Sequence, residues 1–328
     1  MRDLAKAAGV SLATVSLALR DHRSIPLETR NRVLRAQRDI GYRLSGRPRV
    51  ERPRSSAGTA TPTLRSLVFI LADRSFDHPT YAPVLQGVVA ASQDADIRVQ
   101  TCAFASDAGG ELPAVVRSDE VDGIVLSGNV TDAVCLRLAA IGLPVVVAGT
   151  YALDAEVDQV TNDIALLGRM ATRRHLAAHH RHIALLTYAL TEHYQRCVWS
   201  GYLDALDAAG FATETRVLTC AHGSERALAA SVIASPDAPT ALVVSDAGLA
   251  DAYAMELLAR GREPGRDCEI VTLAGQAPRG APRAYASLLI GGESIGRMAV
   301  AKLQDRLAQP ARRPVVSMIR ELAWIEAT

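Results

Sequence analysis

The sequence predicts a small all-α unit followed by a two-lobed α/β domain in which parallel sheets carry helices on both faces. Three observations predict it. Residues 1–42 hold three short helical patterns, residues 43–64 lose all apolar periodicity, and residues 65–328 alternate short apolar runs with amphipathic segments. At 328 residues the chain exceeds one hydrophobic core, since domains average roughly 150 residues. Its 49% hydrophobic content with only 4% aromatics marks an Ala/Val/Leu-built globular protein and excludes disorder over the whole length.

The first helix places Leu4, Ala5 and Ala8 on one face, and Gly9 then offers the backbone freedom of a sharp turn. Ser11 is suited to cap the second helix by accepting from its free amides, and Val15 with Leu19 lies at i, i+4 on the inward side. Pro26 suits the start of a third helix. Val33, Ala36 and Ile40 form its inward stripe, and Gly41 ends it. From 43 to 64 the chain is rich in Pro, Gly, Ser, Thr and Arg, the composition of a tether.

Beyond the tether, apolar runs at 66–72, 97–103, 122–128 and 143–149 alternate with helical patterns near 83–95 and 131–141. A second series runs through a helix near 163–178, a strand at 182–187, a helix near 193–210, a strand at 240–246, a helix near 247–260 and a strand at 268–273. Short buried strands separated by helices indicate parallel sheets, and two successions indicate two lobes. Ligands of open α/β sheets bind beyond the carboxyl ends of the strands, so the cleft between lobes is the expected pocket.

Charge is distributed unevenly. Residues 1–54 carry thirteen Lys/Arg against five acids, a local net of +8, which leaves −7 on the remainder. That split fits a polyanion-binding head on an acidic body, although a solvated basic surface has the same composition. Five widely spaced cysteines suggest neither a zinc motif nor a disulfide framework, which fits a reduced, cytoplasmic setting. Charges at Arg2, Asp3 and Lys6 interrupt any signal core, and no run of about 18 apolar residues occurs, so secretion and membrane spanning are not expected.

The run Ala5, Ala8, Gly9, Val10, Ser11, Thr14, Val15, Ser16, continued by Thr29-Arg30, Val33 and Gly41-Tyr42, closely resembles the helix-turn-helix opening of the LacI/GalR (lac repressor) family. The resemblance implies that the second helix enters the major groove with its N-terminal side chains toward base edges. It places Leu12 and Ala13 at reading positions, and Ser11, Thr14, Ser16 and Thr29 at positions that touch phosphate or sugar, with Tyr42 closing the motif. Where the family commonly has an arginine able to donate twice to guanine, this chain has Leu17. Leu17 then either contacts thymine methyls or packs on the third helix, and Arg20 becomes the nearest polar reader.

Two further departures bear on DNA binding. The family typically has several residues and a capping Thr before the first helix, whereas this sequence opens two residues before Asp3. The expectation is either a start codon assigned late or one fewer phosphate interaction at the amino terminus. Gly46, Pro48 and Pro53 also interrupt the place of the family's hinge helix. A basic tether should therefore replace it, giving weaker bending and steep salt dependence.

The second domain resembles the family's periplasmic-binding-protein-like effector domain through Val121–Ser127, Leu143–Gly149, Val160–Asp163, His182–Leu186, Gly201–Leu206 and Pro239–Asp246. The resemblance implies chain crossovers near 160, 288 and 310. Lobe 1 would span about 65–159 with 288–308, and lobe 2 about 160–287 with 309–328. It implies effector contacts from the loop Asp73 to Tyr81, from Ser127, and from Asp163 and Asp246, whose carboxylates could accept from ligand hydroxyls or could simply cap helices. The family's arginine before Gly201-Tyr202 is Val198 here, with Arg196 nearby, and its paired aspartates are Ala274-Gly275. Losing a charged donor and acceptor removes hydrogen bonds worth about 1.5–3 kcal/mol each, so an ordinary hexose is not expected. Tyr188, Tyr194 and Trp199 offer either stacking faces or packing.

His175, His179, His180 and His182 sit at a helix end with no acid or thiol close in sequence. They read as dipole-compatible residues rather than metal ligands, and no metal or cofactor is expected. Gly291-Gly292 reads as a strand-to-helix turn, and no G-x-S-x-G or paired catalytic spacing is present, so an enzyme is not expected. The sequence thus points to a homodimeric DNA-binding transcription regulator, a repressor on a double-stranded operator, controlled by a small-molecule effector. A soluble small-molecule-binding protein or an enzyme on the same scaffold is the competing class.

Overall fold

The computed structural model describes residues 2–19, 26, 29, 32, 33, 36, 63–105, 112–117, 120–211, 215–274 and 285–327. The chain divides into two compact units, Met1–Ala60 and Thr61–Thr328. In the first, α1 (Arg2–Ala8) and α2 (Leu12–Leu19) flank a turn in which Gly9 has φ 64°, a left-handed value that glycine adopts without a Cβ penalty. Leu4, Ala5, Ala8, Val15 and Ala18 bury together with Val33 and Ala36, so the third apolar stripe does reach this core. Arg20, Ile40, Gly41, Tyr42 and residues 43–62 lie outside the described residues. Leu64, assigned to the tether by composition, is 3% exposed in the core of the larger unit, because its side chain packs beneath the first strand.

That unit contains two sheets. The first is built from β1 (Ser66–Ala72), β2 (Arg98–Phe104), β3 (Gly123–Gly128), β4 (Val145–Ala148), β5 (Asp158–Asn162) and β11 (Val316–Ile319), all parallel, in the order β11-β5-β4-β3-β1-β2. The second holds β6 (Ile183–Tyr188), β7 (Val217–Cys220), β8 (Ala241–Val244), β9 (Glu269–Ala274), β10 (Ala286–Ile290) and β12 (Leu322–Ile325), in the order β12-β10-β9-β8-β6-β7. Only β12 runs antiparallel among these pairings. The helices between them are α3 (Ala82–Asp94), α4 (Ala114–Arg117), α5 (Asp132–Ala139), α6 (Ile164–Ala177), α7 (His193–Ala208), α8 (Glu225–Ala234), α9 (Ala247–Ala259) and α10 (Gly292–Ala308).

Strand alternation sends successive side chains to opposite faces, and both faces are covered. Leu67, Phe69 and Leu71 of β1 pack with Val84 and Val88 of α3 and with Ile295, Ala299 and Leu303 of α10. Val68 and Ile70 pack with Val134, Cys135 and Leu138 of α5. In the second sheet Ile183 and Leu185 meet α6 and α7, while Ala184 and Leu186 meet α8 and α9.

The chain passes between the sheets after β5, after β10 and after β11. The lobe limits expected from the sequence therefore shift. Residues 160–162 belong to the first sheet, and 288–290 to the second. The third crossing falls after Ile319 rather than near 310, because β11 pairs beside β5 from Val316↔Gln159 to Ile319↔Asn162. Asp158 anchors that segment: its Oδ1 accepts from the Val315 amide at 3.0 Å, and its Oδ2 meets Arg306 Nε at 2.7 Å. Asp163 Oδ2 pairs with Arg320 Nε at 3.2 Å across two of the crossings.

Candidate nucleic-acid interface and interlobe cleft

The short turn before α2 is fixed by its own polar groups. The Ser11 Oγ accepts from the Thr14 amide at 3.0 Å and bonds the Thr14 hydroxyl at 2.8 Å, while the Ser11 carbonyl accepts from the Val15 amide at 2.9 Å. This is an N-cap, satisfying an amide that has no partner within the helix. With Val15 and Ala18 buried, the first turn of α2 shows Ser11 and Leu12 outward, and Leu12 is 45% exposed. An exposed leucine on the first turn of a capped helix beside a basic segment is an apolar surface available to another molecule. Thr14 is half-buried, as is helical Thr29. Nothing is described of the side chains of Ala13, Ser16 and Leu17, and Arg20 and Tyr42 lie outside the described residues.

In the larger unit, residues after the carboxyl ends of the strands converge from both lobes. Asp73, just after β1, takes φ 50°, its Oδ2 accepts from Asn129 Nδ2 at 3.2 Å, and its carbonyl accepts from Arg74 at 3.1 Å. The loop then closes on itself through Ser75–Asp77 and the His78 amide to the Ser75 carbonyl. Tyr81 leads into α3, its ring 5.0 Å from that of His78. Tyr81 and Tyr151 both donate to the Gly128 carbonyl, at 3.4 and 2.8 Å, and burial holds both phenols protonated, far above ordinary pH for Tyr151.

From the second lobe, Asp246 caps α9 through Oδ1 to the Gly248 amide at 2.8 Å while remaining exposed. Its charge reaches Tyr188, Tyr194 and, across the cleft, His78. The His78 pKa is lowered first by burial and then by Arg74, against an opposite pull from Asp246. Tyr188 stacks on His222 with centroids 4.0 Å apart and donates to Glu225 at 3.1 Å. The cleft thus offers cationic and phenolic groups from lobe 1, and carboxylate with a stacked aromatic pair from lobe 2. Such a mixture suits a small polar molecule with both donors and acceptors.

Three effector candidates from the sequence also make bonds that serve the fold. Ser127 is buried, and its hydroxyl donates to the Ala148 carbonyl at 2.6 Å, so it serves the sheet. Asp163 spends Oδ1 capping α6 on the Leu166 amide at 3.0 Å and Oδ2 on Arg320. Arg196 turns back to the Thr191 carbonyl. Trp199 and Tyr194 pack into the core between α6, α7 and the second sheet, so Trp199 is a packing residue rather than a stacking face. Tyr151 and His222 carry no motif that sequence reasoning could single out, although each follows the carboxyl end of a strand, and that position is the signal available.

Two family descriptions match this chain. "Bacterial regulatory proteins, lacI family" covers residues 1–45, and "Periplasmic binding proteins and sugar binding domain of LacI family" covers residues 65–275. The chain belongs to the LacI family. Within it, catabolite control protein A of Streptococcus mutans is 26% identical over 82% of this chain and 79% of its own. The ribose operon repressor of Haemophilus influenzae is 27% identical over 68% and 64%. Among solved structures, a transcriptional regulator CelR–cellobiose complex superposes with TM-score 0.68 at 22% identity, covering 99% of this chain and 98% of the other. The lac repressor dimer bound to operator gives TM-score 0.63 at 16% identity, covering 99% and 97%. The helix-turn-helix and the two-lobed effector-type domain are therefore those of a LacI-family transcription regulator.

Proposed function

We propose that this regulator is a repressor acting as a homodimer in the cytoplasm, each subunit presenting α2 to one half-site of a roughly palindromic operator, and that a small polar molecule closing the interlobe cleft changes its grip on DNA. The observation that carries the reading is the presence in one chain of a Ser11-capped helix-turn-helix and of a two-lobed α/β domain whose strand ends carry Asp73, Tyr81 and Asp246. Leu12 and Ala13, with Leu17, read by apolar contact, which favours thymine methyls over guanine edges. Arg20 is the nearest polar reader, and Ser11, Thr14, Ser16 and Thr29 set register on phosphates or sugars, with Tyr42 closing the motif. Asp73, Tyr81 and Asp246 touch the effector, with Arg74 and His78 beside them. An effector shifts the equilibrium only by its difference in affinity for open and closed lobes. A helix-turn-helix in the same chain as this domain favours binding over catalysis.

The test is selection of the full-length protein on a random duplex pool at moderate salt, followed by a metabolite panel on the selected sequence. Two inverted half-sites should be enriched. Ser11→Ala should weaken binding by roughly the 1 kcal/mol worth of an N-cap. Leu12→Ala should relax preference at one position per half-site. The salt slope should report at least about three released counterions. Absence of any enriched sequence overturns the reading.

A further inference from the structure

The amino edge of the second sheet, opposite the cleft, carries a cluster that effector binding does not use. His175 at the end of α6, His180 just beyond it and Glu269 at the start of β9 bring three potential ligand atoms within 4.8 Å of one another. The approach begins locally. His179 adopts φ 66°, a left-handed turn that folds the chain back so that the His180 amide donates to the His175 carbonyl at 3.0 Å. Both imidazoles then face β9, with ring centroids 5.8 Å apart.

The hydrogen bonds assign the lone pairs. His175 is 0% exposed, and its Nε2 lies 3.0 Å from the Leu242 carbonyl. A carbonyl only accepts, so Nε2 carries the hydrogen and Nδ1 of the neutral ring carries a lone pair. That buried Nδ1 makes no hydrogen bond among the described residues and faces Glu269 Oε2 at 3.4 Å. Two acceptors turned toward each other in a buried site need a cation between them. His180 Nε2 converges on the same oxygen at 2.9 Å.

We propose that His175 Nδ1, His180 Nε2 and Glu269 Oε2 form a binding site for one divalent transition-metal ion of the zinc type. Zinc bonds of about 2.0–2.2 Å in a tetrahedron put neighbouring ligand atoms about 3.3–3.6 Å apart; the 3.4 Å between His175 Nδ1 and Glu269 Oε2 already matches, and the 2.9 Å between His180 Nε2 and the same oxygen has to open by about half an ångström to admit the ion. Each ligand is also held from behind, as metal ligands are. The Leu242 carbonyl orients His175, Thr240 Oγ1 meets His180 Nδ1 at 3.0 Å, and Arg174 Nε lies 3.6 Å from the free Glu269 Oε1. His180 and Glu269 remain partly exposed, which gives an ion a way in and water the fourth position. The ion ties the end of α6 to β9 within lobe 2, a structural role separate from the effector cleft.

Titration of the chelator-stripped full chain with cobalt(II), then zinc(II), tests this. One equivalent of cobalt should saturate with visible bands of a nitrogen–oxygen tetrahedral site, and zinc should displace it and raise Tm. Glu269→Gln and His180→Asn should each weaken binding by at least about tenfold. Cys197→Ser, which removes the thiol beside His193, should leave it unchanged. No saturation at one equivalent, or wild-type affinity in both ligand variants, overturns the site and assigns the charge between His175 and Glu269 to a proton. Should the variants not fold, imidazole NMR of the wild type decides: zinc must shift His175 and His180 selectively, and unshifted resonances overturn the proposal.

Discussion

The two lobes solve one packing problem in the same way and then diverge in chemistry. In lobe 1, α3 and α10 cross where Gly87 and Gly296 allow backbone contact: a Cβ at Gly87 would lie 1.9 Å from the Glu293 carbonyl oxygen, and one at Gly296 would lie 2.1 Å from that of Val84. In lobe 2, α6 and α7 cross at Gly168 and Gly201, where a Cβ would lie 2.2 Å from the Val198 oxygen and 1.8 Å from the Ala165 oxygen. The tail then donates one strand to each lobe on different terms. β11 is tied to lobe 1 by the buried Asp158–Arg306 pair, whereas the residue after β12 is tied to lobe 2 by Arg174–Glu326, at 2.8 and 2.6 Å but largely in solvent. Shared backbone geometry is thus compatible with very different electrostatic cost.

Asp158→Ala should give the largest effect, because it removes the carboxylate partner of Arg306 and the acceptor of the Val315 amide at once. Breaking a buried pair costs about 3–5 kcal/mol, read as a lower urea midpoint with protease cleavage near 309–315. Retention of full stability would show that β11 needs no anchor. Next come Gly201→Ala and Gly87→Ala. Each forces apart helices that touch through backbone, and overpacking costs about 1–3 kcal/mol. The two should lose similar amounts; a loss in only one lobe breaks the parallel between the crossings.

These predictions also mark what the sequence could and could not disclose. The motif from Ala5 to Ser16 is readable because cap, turn and core residues sit within one short stretch, and the burial of Val15 and Ala18 follows from helical spacing. β1, β3, β6 and β8 are readable as continuous apolar runs. β5 is not readable by pattern, since Asp158, Gln159 and Thr161 are polar yet buried, a state made tolerable by partners outside the strand. β11 and β12 are four-residue edge strands with mixed exposure, too short to show a period. Ser127 and Asp163 stay ambiguous in the sequence because a polar side chain at a strand end looks the same whether it serves a ligand or the backbone beside it. Glu269 lies far from His180 in sequence, so no local spacing could join them.

The cleft offers a smaller and more pointed test of how the lobes differ. Lobe 1 presents Arg74 and His78, and lobe 2 presents Asp246, whose charge raises the His78 pKa against burial and Arg74. Asp246→Asn should therefore lower the His78 pKa further, and Arg74→Ala should raise it, both measured by imidazole NMR. An unmoved His78 in Asp246→Asn would mean that the lobes stand too far apart in solution for one face to act on the other.

The smallest effect belongs to Glu326→Gln. Its bidentate bond to Arg174 is geometrically good, and Arg174 also lies over the Trp324 ring at 4.8 Å, but Glu326 is mostly solvated. Exposed pairs contribute about 0.2–1 kcal/mol, so the urea midpoint should barely move, and less still in high salt. A loss approaching that of Asp158→Ala would mean that Arg174 is effectively buried when paired. The amino edge of lobe 2 would then act as one electrostatic unit with Glu269 rather than as separate surface contacts, since Arg174 is the residue the two carboxylates share.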